Sequence, residues 1–113
     1  MFPRTLRLRQ RRDIARVIKR GRRFFTPCFN VRTISSPLLH PRITVVVGTV
    51  VSKRAVIRNK IKRQTRHQLR EILDGSKISA DIMVTIHKLA LDRESEPRKQ
   101  ELIFSLKKLG LIK

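Results

Sequence analysis

The sequence predicts one small α+β domain in which helices pack on a mixed sheet, with elements in the order α-β-β-α-β-α. Amphipathic runs at helical spacing alternate with β-branched apolar runs, which is the pattern expected for that class. A length of 113 residues suits one domain with a modest core. We therefore assign residues 1–113 to a single domain and expect residues 1–8 to form a flexible basic arm.

The first predicted helix is Arg9–Arg20, whose apolar side chains recur at helical spacing: Leu8, Ile14, Val17 and Ile18. Gly21 follows at the place where a helix commonly ends in a left-handed conformation. A strand is predicted at Phe24–Ile34, where apolar side chains partly alternate. The next segment, Ser35–Arg42, contains two prolines and is predicted to be a loop.

A second strand is predicted at Ile43–Val51, which has no charged residue and many β-branched ones, as in a strand buried on both faces. The second helix follows at Ala55–Leu73, and its apolar residues form one stripe: Ile57, Ile61, Leu69, Ile72 and Leu73. A third strand at Ala80–His87 and a final helix at Pro97–Leu109, stopped by Gly110, complete the prediction.

Charge is distributed unevenly along the chain. There are 28 Lys and Arg against 8 Asp and Glu, a formal charge of +20, and residues 1–70 contain 20 of the basic residues with one acid, Asp13. The segment Thr44–Glu71 alone holds eight basic residues, most of them on the second helix. Such charge favours a polyanionic partner. Nucleic acid fits best, because cations that neutralise its phosphates release the condensed counterions, and this release favours binding.

The second helix is the strongest binding candidate. A merely soluble helix would carry acids four residues from its cations, and none precedes Glu71. Arg58, Arg63 and Arg66 are spread over several turns and could contact separate phosphates of a folded RNA. The amide of Asn59 could read a base edge or a ribose hydroxyl, although a local polar cap or bridge explains it equally well.

The N-terminal region and the aromatic residues are weaker candidates. Arg4–Arg23 holds ten basic residues and one acid, and is either a second contact or a solvated tail. Phe29 is expected in the core. One of Phe24 and Phe25 should point outward from the strand, where it could stack a base.

Residues able to carry catalysis or bind a metal are scattered. The three histidines and Cys28 show no metal-ligand spacing, so we predict neither a catalytic residue nor a metal site in the protein. A single cysteine excludes an internal disulfide and fits a reducing cytosol. The longest apolar run is too short to span a bilayer, so we expect a cytoplasmic protein with no membrane contact.

One motif resembles a known family. The segment Ser52-Lys53-Arg54 followed by Ala55–Arg66 is similar to the protein subunit of bacterial ribonuclease P, whose strand ends in V-S-K-K before a helix reading A-V-x-R-N-R-x-K-R-x-x-R. The matching helix residues are Arg58, Asn59, Ile61, Lys62, Arg63 and Arg66. Agreement extends along nearly the whole chain, from Arg7-Leu8, Asp13 and Val17 to Asp81 at the start of an apolar strand.

The resemblance implies a two-layer α/β sandwich with a left-handed β-α-β crossover, a topology shared with the second domain of a small-subunit ribosomal protein. It also implies a ribonucleoprotein endonuclease that removes the 5′ leader of precursor tRNA, with the chemistry carried by a catalytic RNA subunit and its bound Mg²⁺. The partners would be that RNA and precursor tRNA, with no obligate protein partner.

Site residues follow from the same resemblance. The residues implied to bind the RNA subunit are Lys53, Arg54, Arg58, Asn59, Lys60, Lys62, Arg63, Arg66 and Arg70. Those implied to contact the leader, in a cleft between the first helix and the sheet, are Arg11, Ile14, Ile18 and Arg32.

Three departures from the family pattern are visible. Lys60 replaces the second arginine of R-N-R and so loses the bidentate fork. About three residues, including a glycine, are missing between Arg54 and Ala55, which requires a tighter turn. Isoleucines at 14 and 18 and Arg32 stand where relatives often carry aromatics, so leader binding here should rely on charge and apolar contact.

Two other functions fit the composition. A structural ribosomal or ribosome-assembly protein would share the charge, the size and the absence of catalytic residues. A protein-only nuclease would need a carboxylate or histidine cluster able to hold a metal, which the sequence does not suggest.

Overall fold

The computed structural model describes residues 7–113. Within them the chain forms α1 (Arg11–Arg20), β1 (Arg22–Phe25), β2 (Phe29–Ser35), β3 (Arg42–Val46), α2 (Ala55–Ile72), β4 (Ala80–Ile86), a 3-10 helix (Lys88–Asp92) and α3 (Ser95–Lys108). The predicted α+β class is confirmed. The predicted bounds of the second helix, the last strand and the last helix agree with the structure to within two residues.

The four strands form one mixed sheet in the order β1-β2-β4-β3. β2 pairs antiparallel with β1 and with β4, whereas β3 and β4 are parallel neighbours. Parallel neighbours need a crossover connection, and α2 supplies it. The left-handed sense implied for this crossover stays a prediction.

The two faces of the sheet bury separate clusters. On one face, Val31, Ile82 and Val84 are fully buried with Leu69 of α2 and Leu102 of α3 among others. On the opposite face, Leu8, Val17 of α1 and Met83 form a smaller cluster. Thus α2 and α3 cover one face of the sheet, and α1 covers part of the other, which we call the α1-side face.

The predicted strand Phe24–Ile34 is wrong in one respect, because it folds as a hairpin of two strands. Thr26 begins the turn, and its amide donates to the Phe29 carbonyl at 2.8 Å. The Phe29 amide in turn donates to the Thr26 hydroxyl at 3.1 Å. Pro27 has no amide hydrogen to donate to a ladder, so the turn forms around it. The predicted place of Phe29 in the core is confirmed, and of the pair Phe24 and Phe25 it is Phe25 that points outward.

The predicted strand Ile43–Val51 is too long. β3 ends at Val46, which pairs with Thr85 near the end of β4, and the apolar residues that follow enter a turn. β3 is also not buried on both faces: Ile43 and Val45 are buried, whereas Val46 is exposed. β-branched residues favour a strand only where a neighbouring strand can pair with them. The neighbour of β3 is β4, which extends only one residue beyond Thr85.

Gly21 ends α1 as predicted but not in the predicted conformation. Its φ of −69° and ψ of 148° are extended rather than left-handed. A Cβ on Gly21 would lie 2.3 Å from the Val17 carbonyl oxygen and 3.0 Å from that of Thr33. Glycine is therefore needed because α1 turns closely onto β2. The predicted left-handed stop at Gly110 is present, with φ of 76°.

The basic arm predicted over residues 1–8 ends earlier than expected. Leu8 is 2% exposed, and its amide donates to the Ile43 carbonyl at 2.8 Å. Arg7 forms a parallel bridge with the same residue, so this segment extends the sheet beside β3. Residues 1–6 of the predicted arm lie outside the described residues.

A buried ion-pair network holds α1 on the sheet. Asp81 of β4 is fully buried and accepts two hydrogen bonds of 2.8 Å from the Arg42 guanidinium of β3. Arg42 also donates to Asp13 of α1 at 3.2 Å, and Arg16 of α1 donates to Asp81 at 3.3 Å. The hydrogen bonds to Asp81 raise the pKa of Arg42, so the guanidinium stays charged. Two strands and a helix thus meet at one carboxylate.

We expect Asp81→Asn to lower the free energy of unfolding by about 3 kcal/mol or more, because removing one partner of a buried pair leaves the other charge uncompensated. Urea unfolding followed by circular dichroism measures this. Asp74→Asn, in an exposed turn, is the matched control and should change stability by less than about 0.5 kcal/mol. Equal stabilities of the two variants would contradict the structural role given to Asp81.

Candidate nucleic-acid interface

The outward side of α2 presents a row of polar and cationic side chains. We call cationic face the residues that recur three, four or seven positions apart on this side: Asn59, Lys62, Arg63, Arg66 and Arg70. The opposite side packs on the sheet through Ile61 and Leu69. The buried Gln68 also fixes the helix, because its amide donates to the Ser95 carbonyl at 2.8 Å. A rigid element therefore supports the face.

The shortened turn before α2 is closed by Ser52. Its hydroxyl accepts a hydrogen bond from the Arg54 amide at 3.2 Å, and its carbonyl accepts one from the Arg58 guanidinium at 2.9 Å. The helix begins at Ala55, immediately after Arg54. Arg58 thus takes part in holding the turn, and that the turn is tighter than in relatives stays a prediction.

Like charges are crowded on the inner flank of the cationic face. Burial lowers the pKa of the Lys62 ammonium, and the neighbouring Arg66 lowers it further. Burial also lowers the pKa of Arg66, with an added effect from the charge of Arg7. The Nε of Arg7 is buried without a hydrogen-bond partner. These three cations repel one another in the free protein, so a bound polyanion would relieve that repulsion.

The structure brings most of the predicted RNA-subunit residues together. Asn59, Lys62, Arg63 and Arg66 line one groove, and the exposed Lys53 and Arg54 precede the helix. Lys60 is separate, because it lines a different groove with Arg93 and Arg98 near α3. Arg7 also lies near the cationic face, because its charge affects the pKa of Arg66, and the helix pattern alone did not indicate this. The available signal in the sequence was the alternation of Arg7 with the apolar Leu8, which is typical of a strand.

The predicted leader residues lie on α1 and on the α1-side face. Ile18 is 47% exposed on α1, and Arg11 is exposed at the start of the helix. Ile14 packs against the small cluster under α1 and is only partly available. Arg32 pairs with Met83 in the register, which places it on this same face, and its Nε is buried without a partner.

Three further residues lie on the α1-side face, and of these the sequence indicated Arg23 and Phe25 only as weaker candidates and Asn30 not at all. Register places Arg23 beside Arg32, and Phe25 beside Asn30. Phe25 is 58% exposed and carries the Arg23 guanidinium 5.6 Å from its ring centre. Asn30 is buried with its Oδ1 unpartnered. α1 therefore leaves part of this face open, with cationic, aromatic and amide groups along it.

The buried carboxylates and the one thiol are engaged in structural contacts. Among residues 7–113, no group of three or more His, Cys, Asp or Glu could hold a metal ion. The two acids that approach each other, Asp13 and Asp81, are both paired with arginines. A protein-held Mg²⁺ site does not fit that donor set, because the arginines already neutralise both carboxylates.

Cys28 is a poor nucleophile in this fold. Burial raises the pKa of its thiol to about 12, and the hydrogen bond to Glu101 adds to the effect. The pKa of Glu101 is lowered despite its burial, because the thiol and amide of Cys28 both donate to it. A thiol so far from ionisation is inert near neutral pH.

No helix in the part of the chain that the structure describes is long and apolar enough to span a membrane.

The comparisons with known proteins agree with one another. The family model described as Ribonuclease P matches residues 2–110 of this chain. The ribonuclease P protein component of Pseudanabaena sp. is 37% identical over 110 residues, which cover 96% of this chain and 91% of that protein. That of Picosynechococcus sp. is 31% identical over 101 residues, covering 89% and 87%.

Solved structures show the same likeness. The ribonuclease P protein of Staphylococcus aureus is similar with a TM-score of 0.85 and 26% sequence identity, covering 96% of this chain and 98% of that one. The protein from Thermotoga maritima has a TM-score of 0.75 and 26% identity, covering 86% and 91%.

We expect added salt to stabilise the free protein, because screening weakens the repulsion among Arg7, Lys62 and Arg66. Raising NaCl from about 20 mM to about 200 mM should increase the free energy of unfolding by about 0.5 kcal/mol more in the wild type than in Arg66→Gln. Gln has a similar helix propensity to Arg, so the substitution isolates the charge. Lys77→Gln should retain the wild-type increment, and equal increments in all three proteins would contradict the crowding.

Proposed function

The chain belongs to the ribonuclease P protein family, and from that premise we propose that it binds the catalytic RNA of ribonuclease P through α2 and the precursor tRNA leader through the α1-side face. Membership makes it the protein component of an endoribonuclease complex that acts in tRNA processing. The resemblance inferred from the motif of α2 is confirmed.

The observation that supports RNA binding best is the cationic face. Within residues 55–70 the helix has no acid, and the crowding around Lys62 and Arg66 is costly unless a polyanion is bound. Arg63 is exposed and can offer its planar fork to phosphate oxygens. Asn59 lines the same groove and would contact a ribose hydroxyl or base edge. Further contacts with the RNA, around this groove, would come from Lys53, Arg54, Arg58, Lys60 and Arg70.

Leader binding is supported by the second surface. Arg11, Ile18 and Arg32 combine charge with apolar contact, as the departures from the family pattern suggested, and Ile14 packs on the cluster beneath α1. Phe25 and Arg23 add an aromatic and a cation. Single strands are commonly bound by such pairs of stacking and cationic groups.

The chemistry would belong to the RNA subunit. The carboxylates of Asp13 and Asp81 are paired with arginines, so we expect the catalytic Mg²⁺ to be held mainly by the RNA. The protein's own residues would bind the leader beside that RNA and bring cations close to it, which lowers repulsion between the two polyanions. We place this complex in the cytoplasm, with no obligate protein partner.

Cleavage of a 5′-extended precursor tRNA tests the proposal. We expect the protein to accelerate cleavage by a bacterial ribonuclease P RNA at low Mg²⁺, where screening of the RNA is weak, and to show no activity alone. Protein that binds this RNA without accelerating cleavage would contradict the proposal and favour the ribosomal alternative.

For the RNA-subunit contact, we expect Arg63→Ala to weaken binding to the ribonuclease P RNA. The slope of log affinity against log salt should become less steep by about one unit for the lost phosphate contact. Filter binding at several NaCl concentrations measures both quantities. Arg58→Ala should lose at least as much affinity, because it also releases the Ser52 turn.

The control for these variants is Lys77→Ala, an exposed cation in the loop after α2. It should leave both the affinity and the slope close to the wild type. Unchanged slopes in Arg58→Ala and Arg63→Ala would place the RNA contact elsewhere on the protein.

A further inference from the structure

A second groove lies where the β1–β2 hairpin meets α3, away from the cationic face. It has a volume of about 520 Å³, and its main lining residues are Phe24, Phe25, Pro27, Ile103, Phe104 and Lys107. We call it the aromatic groove. Phe104 is 52% exposed, although it is large and apolar. Exposed aromatic side chains that share a concavity commonly mark a binding site.

The aromatic side chains are already arranged as a platform. The rings of Phe24 and Phe104 meet edge to face, with centroids 5.7 Å apart and planes at 61°. This contact holds Phe104 in position while leaving over half of its surface open. The Lys108 ammonium lies 5.4 Å from the centre of the Phe104 ring. A planar ligand could therefore stack on a fixed ring beside a cation.

The charges around the groove favour an anionic occupant over a peptide. Lys107 lines it and Lys108 borders it, while Arg23 sits over Phe25. Glu101 is the one acid in the lining, and its carboxylate is committed to Cys28 and Arg93. Aromatic rings with flanking cations match the base and phosphate of a nucleotide.

The groove is continuous with the surface proposed for the leader. Phe25 pairs with Asn30 in the register, so its side chain belongs to the α1-side face. Phe25 also lines the aromatic groove. A single strand lying on the α1-side face would therefore reach the groove by passing around the free edge of β1.

We propose that the aromatic groove binds an unpaired base of the precursor tRNA leader, upstream of the nucleotides held on the α1-side face. The base stacks on Phe104, and Lys107 and Lys108 face its phosphates. This inference rests on the proposed leader binding and extends it by one stacking subsite. It predicts that long leaders bind more tightly than short ones because of α3.

Fluorescence gives a direct test, because the chain has no Trp and no Tyr. Phe104→Trp keeps a stacking ring and makes it the only strong fluorophore. In the complex with ribonuclease P RNA, we expect its emission to be quenched by a precursor tRNA with a long leader. A short leader that ends on the α1-side face, or mature tRNA, should not quench it. Equal quenching by mature tRNA, or none with the long leader, overturns the proposal.

Affinity gives an independent readout. Phe104→Ala should reduce the ratio of long-leader to short-leader affinity by about fivefold to tenfold, the usual effect of losing one stacked base. Leu89→Ala, an exposed apolar residue of the 3-10 helix, is the matched control and should keep the wild-type ratio. The same ratio in both variants overturns the proposal.

Cleavage by the wild-type protein distinguishes a failure of the proposed function from a failure of the stacking subsite. If the wild-type protein does not accelerate cleavage of either precursor, the proposed function fails. If it accelerates cleavage of both, but Phe104→Trp shows no quenching and Phe104→Ala keeps the wild-type affinity ratio, only the stacking subsite fails.

Discussion

The buried carboxylate of Asp81 is the main constraint on the structure, because it fixes where α1 packs on the sheet. It lies near the start of the largely apolar strand β4 and can be accommodated only because Arg42 and Arg16 reach it from β3 and α1. Burying a charge is costly unless it is paired and hydrogen-bonded. Moving α1 away from this end of the sheet would therefore cost free energy, because Asp81 would lose its bond to Arg16. Its fixed place at one end keeps the rest of the α1-side face open.

The protein tolerates strong charge by segregating it. Residues 1–70 contain one acid, Asp13, which belongs to the internal ion-pair network, and the cations of α2 have no acid on their own helix before Glu71. In the free protein burial lowers the pKa values of Lys62 and Arg66, and the neighbouring cations Arg66 and Arg7 lower them further. Repulsion of this kind lowers the stability of the free protein, and under the proposed function it would add to the affinity for RNA phosphates.

Elements with a strong repeating pattern could be predicted from the sequence, and those set by distant contacts could not. The stripe of Ile61 and Leu69 predicted α2 with its cationic face, because helical spacing is local. The end of β3 at Val46 depends on where β4 stops, and the closeness of Gly21 to Thr33 depends on a neighbouring strand. Likewise, Phe25 and Arg23 became part of a surface only once the register with β2 was known.

The short bridge between Arg7 and Ile43 places neighbouring residues of one segment beside the two surfaces proposed to bind RNA. Neighbouring side chains of a strand point to opposite faces, so Arg7 lies near Arg66 while Leu8 packs under α1 with Val17. Any ligand that restrains Arg7 also restrains Leu8, and linkage makes the effect reciprocal. Under the proposed function, RNA bound on α2 would therefore also restrain the packing beneath α1, through the adjacent residues Arg7 and Leu8.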